Sequence, residues 1–267
     1  MSGDNLSPIA SFITYNHNRS VETDAEKRDI FNNIQKVKES TGWMYKTLSK
    51  ADYINLTSVQ EIMEETDPEV VKKFIIENDH LFGEINYVAM SEVLICPQCL
   101  NEVIFWNSSV DHKSGKIFEQ ITCPNCKLVT DKANCESATN SYYDVETNEV
   151  HTENKYVPVF INLEVNGKRT QKAPDSFDYF LMSIIQNIKI KNWIPTDYLV
   201  EGDETKRAIK AGANRIHRFY TKRNLIVLSE YLSNMDISSV GFSLTRVATR
   251  ITKMYGLTCQ NGVWGAG

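Results

Sequence analysis

The chain has 267 residues, of which 42% are hydrophobic, 24% are charged and 10% are aromatic. This composition is typical of a folded globular protein and argues against extensive disorder. No run approaches the ~20 apolar residues that a membrane-spanning helix needs, and the N-terminal residues lack the pattern of a signal peptide. The sequence therefore predicts a cytoplasmic protein with no membrane partner.

The formal net charge of −5 is unevenly distributed. From Thr205 to Gly267 ten lysines and arginines face two acidic residues, which gives +8 and leaves −13 for residues 1–204. Such asymmetry indicates a basic region that meets a polyanion or packs against an acidic neighbour. A solvated basic face explains the charge equally well.

The first third of the chain has a helical pattern. Apolar residues predict a long helix over 24–48, bent or interrupted near Gly42, and Asp67-Pro68 fits the cap and first position of a short helix. From Ile85 to Ile95 the pattern becomes that of a strand. We therefore predict five regions: 1–20, a helical region at 21–84, a ribbon at 85–135, a strand hairpin, helix and basic connector at 155–220, and basic helices at 221–267.

The elements after the ribbon are read from turns and caps. Residues 131–154 are polar and acidic and predict a loop, whereas 156–165 alternate as a strand that the Asn166-Gly167 turn reverses. Pro174 opens an amphipathic helix. Thr221 is a helix cap, and a last helix is predicted over 243–255.

Four cysteines form two Cys-x-x-Cys pairs with 23 residues between them: Cys96, Cys99, Cys123 and Cys126. Each pair directs two thiolates at one ion about 2.3 Å away, and a hairpin made by 102–106 and 116–121 is predicted to place the pairs opposite each other. Because four thiolates leave no open coordination position, we predict a structural zinc ion. Redox-active or buried thiols are the alternative, and Cys135 and Cys259 are interpreted as plain thiols.

Basic residues of the C-terminal part are candidate phosphate contacts. Lys206 to Arg223 holds seven lysines and arginines and no acid, interleaved with His217, Phe219 and Tyr220. A cationic stripe on a helix can lie along phosphates and release counterions. A solvent-exposed face remains the alternative for the residues predicted to contact DNA, which are Arg218, Lys222, Arg223, Arg246, Arg250 and Lys253.

Several segments occur in a characteristic order: 5–16, 42–45, the ribbon with Phe105-Trp106, 193–197 and 217–225. Together they resemble the zinc-ribbon-containing adenine-specific DNA methylases, discontinuously over nearly the whole chain. The resemblance implies an α+β fold: a partial Rossmann-like methyltransferase framework, of which 1–20 is a remnant, with helical segments and an inserted four-cysteine zinc ribbon.

The resemblance also implies a reaction, methyl transfer from S-adenosylmethionine to the exocyclic amino group of a base. In that family a glycine-rich turn holds the cofactor and an Asp-Pro-Pro-aromatic loop holds the target amine. This sequence has no Pro-Pro pair and no glycine-rich turn near its start, and Asp4 and Asn5 stand where the family's ribose-binding acid is found. We therefore expect a truncated methyltransferase segment that is inactive alone, with DNA and the remaining parts of the methylase as partners.

Two other hypotheses remain open. The chain is either a stand-alone zinc-ribbon module that binds nucleic acid or protein without catalysis, or a scaffold in which the ribbon only stabilises the insertion. The presence of the missing motifs next to this segment in the genome favours the methylase, and other genes there favour the module.

Overall fold

The computed structural model describes residues 23–112 and 114–234, and also 11, 14, 15, 244, 247, 248, 250–253, 257–260 and 263–266. It is an α+β protein. The chain divides into two compact units: a helical unit within 1–42, 190–194 and 220–255, and a sheet unit within 43–189, 195–219 and 256–267. No helix of the described residues is long and apolar enough to cross a membrane.

The chain forms seven α-helices and twelve strands among the described residues. The helices are α1 (Asp24–Thr41), α2 (Thr57–Ile62), α3 (Pro68–Glu77), α4 (Phe105–Ser109), α5 (Ser176–Gln186), α6 (Lys206–Lys210) and α7 (Lys222–Ser233). The strands are β1 (Lys46–Leu48), β2 (Phe82–Ile95), β3 (Glu102–Ile104), β4 (Gln120–Thr122), β5 (Val129–Asp131), β6 (Glu136–Ser137), β7 (Thr139–Asp144), β8 (Glu149–Asn154), β9 (Tyr156–Val165), β10 (Lys168–Lys172), β11 (Leu257–Gln260) and β12 (Val263–Ala266).

The helical unit is built on α1 and α7. α1 begins at a capping box, in which the Thr23 hydroxyl accepts from the Glu26 backbone N–H and the Glu26 carboxylate accepts from that of Thr23. The Ser40 hydroxyl donates to Glu230 of α7 at 2.5 Å. The interruption predicted near Gly42 is confirmed, because α1 ends at Thr41. The predicted helix does not resume after it, because a 3₁₀ turn at Gly42–Tyr45 leads into β1.

The long strand β2 is the centre of the main sheet, whose order is β1-β2-β9-β10, with β3 and β6 pairing to the far end of β2. Every strand pair among the described residues is antiparallel. The described sheets thus contain none of the parallel pairing of a Rossmann-like domain. The predicted remnant of such a domain at 1–20 falls almost wholly outside the described residues and stays a prediction.

Helix α5 covers the main sheet near β1. The ring of Phe177, fully buried, contacts that of Phe82 at a centroid distance of 5.3 Å. The Thr47 hydroxyl donates to the buried carboxylate of Asp178 at 2.5 Å, and the Lys172 ammonium lies 3.0 Å from the same carboxylate. Burial raises the pKa of Asp178, so the hydroxyl and the ammonium are needed to compensate for the desolvated charge.

Local turn and cap chemistry was predicted well. Asn166 and Gly167 have φ values of 51° and 74° and reverse the chain between β9 and β10, as expected of a primed turn. Asp67 and Thr221 accept hydrogen bonds from backbone N–H groups of α3 and α7, so both predicted caps are confirmed.

The predicted loop over 131–154 is wrong, because β7 and β8 form a six-residue antiparallel hairpin there. Its two buried side chains, Asp144 and His151, are polar, so the hairpin shows none of the apolar alternation that identifies a half-buried strand. Its turn includes Asn148 at a φ of 55°. Such a polar hairpin reads as a loop in sequence.

The predicted hairpin between the cysteine pairs is also wrong in its pairing. β3 pairs with β2 and β4 pairs with β5. The described strand pairs do not join the two segments expected to pair, and Ile117 of the second segment bridges instead to Val110. Each Cys-x-x-Cys turn reverses the chain by itself, so the strands flanking each turn pair with each other.

Gly212 marks a close approach between the end of α6 and β8. Its φ is +99°, and a Cβ atom there would lie 2.5 Å from the Cα of Glu153 and 2.9 Å from the Thr152 carbonyl oxygen. Gly167 has a φ of +74° with nothing within 4 Å of such an atom. An alanine at Gly212 would therefore meet both steric overlap and backbone strain, whereas an alanine at Gly167 would meet backbone strain alone.

We expect Gly212→Ala to lower the free energy of unfolding by roughly 2–5 kcal/mol, since overpacking adds to the strained backbone. Gly167→Ala, with strain alone, should cost about 1–2 kcal/mol. Urea denaturation followed by circular dichroism measures both. Equal losses in the two variants would show that the contact with β8 is not as tight as described.

Candidate metal centre

The four predicted cysteines come together at one point in the sheet unit. Their Sγ atoms all lie within 4.8 Å of one another, with Cys96 to Cys126 and Cys99 to Cys123 each at 3.6 Å. A tetrahedron with metal–sulfur bonds of about 2.3 Å has edges of about 3.8 Å. The arrangement therefore fits a metal ion such as zinc, held by four sulfurs.

The first cysteine turn has a closed hydrogen-bonded form. The Leu100 N–H donates to the Cys96 carbonyl at 3.0 Å, and the Cys96 N–H donates to the Asn101 carbonyl at 3.0 Å. Leu100 has a φ of 58°, in the left-handed region that a leucine seldom adopts. This backbone turns the chain back sharply and directs the two thiols to the same side.

The second turn repeats the first position by position. The Lys127 N–H donates to the Cys123 carbonyl at 3.0 Å, and the Cys123 N–H donates to the Leu128 carbonyl at 2.9 Å. Lys127, like Leu100, lies at positive φ, 64°. Two non-glycine residues held in an unfavourable conformation at equivalent positions indicate a functional constraint, and here the constraint is the direction of the thiols.

A small apolar core supports the cysteines from below. Leu94, Val103 and Ile121 are each at most 2% exposed and pack with Cys96 and Cys123. Leu94 belongs to β2, so the cluster stands at the end of the central strand of the main sheet. The first ligand is thereby fixed to the most extensively paired strand of the described protein.

The metal-free thiols differ in proton affinity. Hydrogen bonds from the side chain and backbone of Asn101 lower the pKa of Cys99 to about 5. For Cys126, a hydrogen bond from the Leu128 N–H lowers the pKa, but burial and the hydrogen bonds shared with the other cysteines outweigh it and raise the pKa to about 12. A cation that binds here must displace the protons of the thiols that become its ligands.

Cys135 lies beside the cluster but outside it. Its side chain packs against the same apolar core, and its Sγ is 3.9 Å from the Asp131 carbonyl oxygen. Burial, followed by the charges of Cys96 and Cys123, raises the pKa of this thiol. These contacts fit the interpretation of Cys135 as a plain thiol, whereas the side chain of Cys259 lies outside the described part of the chain.

Arg218, predicted to contact DNA, is a buried residue of the sheet unit. Its side chain is 3% exposed, and its Nη2 donates to the Asp144 carboxylate at 2.9 Å while its Nε donates to the same oxygen at 3.2 Å. Its Nη1 donates to Asn214 at 2.5 Å. A guanidinium enclosed in this way presents no face to a phosphate, so Arg218 is not part of the DNA contact that we propose.

Asp144 is the centre of a buried ionic network that sequence reasoning missed. The Nε2 of His217 lies 3.0 Å from its carboxylate, and both residues are at least 94% buried. Nearby, Glu149 accepts from Arg215 at 3.0 Å. The network joins the β7–β8 hairpin to the basic segment around 215–218. In the sequence this segment is part of the acid-free run of Lys206 to Arg223, which was interpreted as a contact for an external anionic partner.

The remaining predicted sites lie elsewhere. Lys222 and Arg223 occupy the first turn of α7 and are half-buried, while Arg250 and Lys253 are exposed. Around these two the backbone forms turns, with Thr252 bridged to Tyr220, so the predicted helix over 243–255 does not continue there. Arg246, Asp4 and Asn5 lie outside the described residues, and their predicted roles stay predictions.

Comparison with known proteins adds no relative. No family model matches the chain, and no curated protein or solved structure matches it either. The interpretation of the function therefore rests on the geometry of the metal centre and on the order of the sequence motifs.

We expect Cys123→Ser to abolish tight binding of one metal ion per chain and to unfold residues around 85–130, because three thiolates cannot complete the tetrahedron. Cys135→Ser is the matched control and should keep one ion. Elemental analysis of the purified proteins gives the stoichiometry, and limited proteolysis reports the local unfolding. Full metal content in Cys123→Ser would contradict the ligand assignment.

The ionic network makes stability depend on pH. Burial lowers the pKa of His217 below its unfolded value near 6.5, so stability begins to fall as the pH drops below about 6.5. For Asp144, burial alone raises the pKa, but hydrogen bonds from His217 and Arg218 outweigh it and hold the pKa far below the unfolded value near 3.9. Its stabilisation is present above about pH 4 and is lost progressively below.

We expect Asp144→Asn to lower the free energy of unfolding by roughly 3–5 kcal/mol at neutral pH, because it leaves a buried guanidinium without its counter-charge. Below about pH 4 the gap between this variant and wild type should narrow. Glu149→Gln, at a carboxylate that is 46% exposed, should cost about 1 kcal/mol or less. Urea titrations from about pH 3 to 8 measure both, and a pH-independent gap would contradict the account.

Proposed function

We propose that this chain supplies the zinc-ribbon and DNA-contacting part of a DNA amino-methyltransferase that uses S-adenosylmethionine. The observation that carries the proposal is the four-thiol cluster. It lies, in chain order, where the methylases that the sequence resembles have their ribbon, between the segment at 42–45 and that at 193–197. In this proposal the ribbon takes no part in the methyl-transfer reaction.

The metal in this proposal is one zinc ion held by Cys96, Cys99, Cys123 and Cys126. Four sulfur ligands suit zinc and leave no position for water or substrate. The ion would therefore act as a cross-link that orders the two cysteine turns. Because the cross-link stands at the end of β2, it fixes the ribbon to the main sheet and so to the rest of the sheet unit.

Methyl transfer itself belongs, in the proposal, to elements that this sequence does not contain. The family's glycine-rich turn and Asp-Pro-Pro-aromatic loop bind the cofactor and the target amine, and the chain has no Pro-Pro pair. The partial Rossmann-like framework at 1–20, with Asp4 and Asn5 near the ribose, is part of the same proposal. We therefore expect no methyl transfer to DNA by the purified chain alone.

The DNA contact in this proposal rests on charge. Of the ten lysines and arginines in 205–267, Arg215 and Arg218 are paired with acids of the sheet unit, whereas Arg250 and Lys253 are exposed. Lys222 and Arg223 begin α7, whose first turn contains no acid. A surface of this kind attracts the DNA backbone, and each neutralised phosphate releases counterions.

A second candidate function is a stand-alone zinc-ribbon module that binds a protein or nucleic acid without catalysis. Exposed apolar side chains around the cysteine turns favour it, because Leu100 is 74% exposed and Val129 is 54% exposed. Sequencing the genomic DNA on both sides of this segment separates the two. A glycine-rich turn upstream and an Asp-Pro-Pro-aromatic segment downstream support the methylase, and unrelated genes support the module.

We expect affinity for a duplex of about 20 base pairs to fall linearly in log–log form as salt rises, with a slope of about −0.9 per phosphate contacted. The double variant Lys222→Gln with Arg223→Gln should reduce that slope by about 2. Lys168→Gln with Arg169→Gln on the exposed edge strand β10 removes the same charge and should leave the slope nearly unchanged. Fluorescence anisotropy measures all three proteins.

Three outcomes of these experiments count against the proposal. A salt-independent affinity, or equal effects of the two double variants, would remove phosphate contact at α7. Incorporation of labelled methyl groups into DNA by the purified chain would contradict the proposal that methyl transfer belongs to elements that this sequence does not contain. It would require a cofactor site within these residues.

A further inference from the structure

The four cysteines of the metal centre differ in exposure in the same way in both turns. Cys96 and Cys123, the first cysteine of each turn, are 1% and 2% exposed, and we call them the inner cysteines. Cys99 and Cys126, the second cysteine of each turn, are partly exposed, and we call them the outer cysteines. A reagent in solution therefore meets the outer thiols first.

Two short sulfur–sulfur contacts of the centre run between the turns. The Sγ of the outer Cys126 lies 3.6 Å from that of the inner Cys96, and the Sγ of the outer Cys99 lies 3.6 Å from that of the inner Cys123. The S–S bond of a disulfide is about 2.05 Å long, so each pair is about 1.5 Å from bonding distance. Each outer thiol thus has an inner thiol of the opposite turn beside it.

This arrangement matches the two requirements of thiol oxidation. A cysteine that ligates a metal ion is a thiolate, which is the form that attacks a hydroperoxide. The rate of this attack rises with exposure, and the sulfenic acid that results condenses with a second thiol to a disulfide. The outer cysteines offer the exposed thiolate, and the inner cysteines offer the second thiol at a position shielded from the oxidant.

Cys135 is the competing thiol near the centre. It is partly exposed and packs against the apolar core that contains the inner cysteines. Its Sγ is 3.9 Å from the Asp131 carbonyl oxygen, and it is not one of the four whose Sγ atoms all lie within 4.8 Å of one another. We therefore expect the inner cysteines, and not Cys135, to complete the oxidation.

We propose that Cys99 and Cys126 are modification sites for hydroperoxides, and that their oxidation converts the metal centre into two disulfides between the turns. The bonds join Cys96 to Cys126 and Cys99 to Cys123. This inference rests on the metal centre of the proposed function and is independent of DNA binding. Because both bonds run between the turns, the β2–β3 and β4–β5 hairpins stay tied together when the ion leaves.

The oxidation has two steps for each pair. The outer sulfur attacks one oxygen of hydrogen peroxide, so that an S–O bond forms, the O–O bond breaks and hydroxide leaves. The inner sulfur then attacks the sulfenic sulfur, so that the S–S bond forms, the S–O bond breaks and a second hydroxide leaves. Both hydroxides take up a proton and become water. Each pair thus loses two electrons to one peroxide, and the ion is released because its thiolate ligands are consumed.

The test treats the full chain, with zinc bound, with hydrogen peroxide, then blocks the free thiols, unfolds the protein and digests it with trypsin. The cleavage sites place Cys96 and Cys99 in 74–113, Cys123 and Cys126 in 117–127, and Cys135 in 133–155. We expect release of one zinc ion, measured with a colorimetric chelator, for about two peroxide molecules consumed. Mass spectrometry should find 74–113 and 117–127 as one species that a thiol reductant separates, and fragmentation of that species gives the pairing.

Two further measurements test the order of events and the consequence for the ribbon. With less peroxide than protein, the sulfenic-acid reagent dimedone should label Cys99 or Cys126. The oxidised, metal-free chain should resist limited proteolysis at 85–130 better than a reduced chain from which a chelator has removed the metal. Cys135→Ser is the matched control, and it should release zinc and form the linked species as wild type does.

The outcomes separate this inference from the proposed function. If the purified chain holds no metal, the metal centre fails and the inference fails with it. If the chain keeps its zinc in peroxide, the centre stands and the inference is wrong. Disulfides within each turn, a bond from 133–155 to either peptide, or dimedone confined to Cys96 or Cys123 would overturn the assignment of outer and inner cysteines.

Discussion

Four sulfur atoms meet within 4.8 Å because two short turns adopt the same hydrogen-bonded backbone. Each turn joins the strands on its two sides, β2 with β3 and β4 with β5, so a cation held between the turns would tie the two hairpins together. The apolar core beside the cysteines is small: Leu94, Val103 and Ile121 are its buried members apart from Cys96 and Cys123, and Phe105 and Leu128 are among the partly buried side chains packed against it. A core of that size depends on its cross-link.

Features whose cause lies within a few residues were predictable from the sequence. The cysteine pairs, the Asn166-Gly167 turn and the caps at Asp67 and Thr221 all act over two to five positions, and the structure has each of them. Local features of this kind can be recognised from residue type and spacing. The α+β class that the resemblance implies is also the class of the structure, which contains both helices and strands.

Features that depend on distant partners were missed. Asp144 and Arg218 are 74 positions apart in the sequence. The pattern of the basic run around 206–223 does not indicate that Arg218 is buried and paired with an acid. The β7–β8 hairpin is polar on both faces, so no period identifies it. The pairing of β3 with β2 was missed because a cysteine turn was not counted as a chain reversal.

The proposal divides the roles among three features: four cysteines that can hold a metal cross-link at the end of β2, the buried acid Asp144 that neutralises Arg218 in the basic segment, and exposed cations that are left for the proposed contact with DNA. The proposed metal ion is the element on which the rest depends. Zinc K-edge X-ray absorption on the purified protein tests it most directly. The account predicts one zinc ion with four sulfur neighbours at about 2.3 Å, whereas a metal-free protein, or a shell containing nitrogen or oxygen, would contradict it.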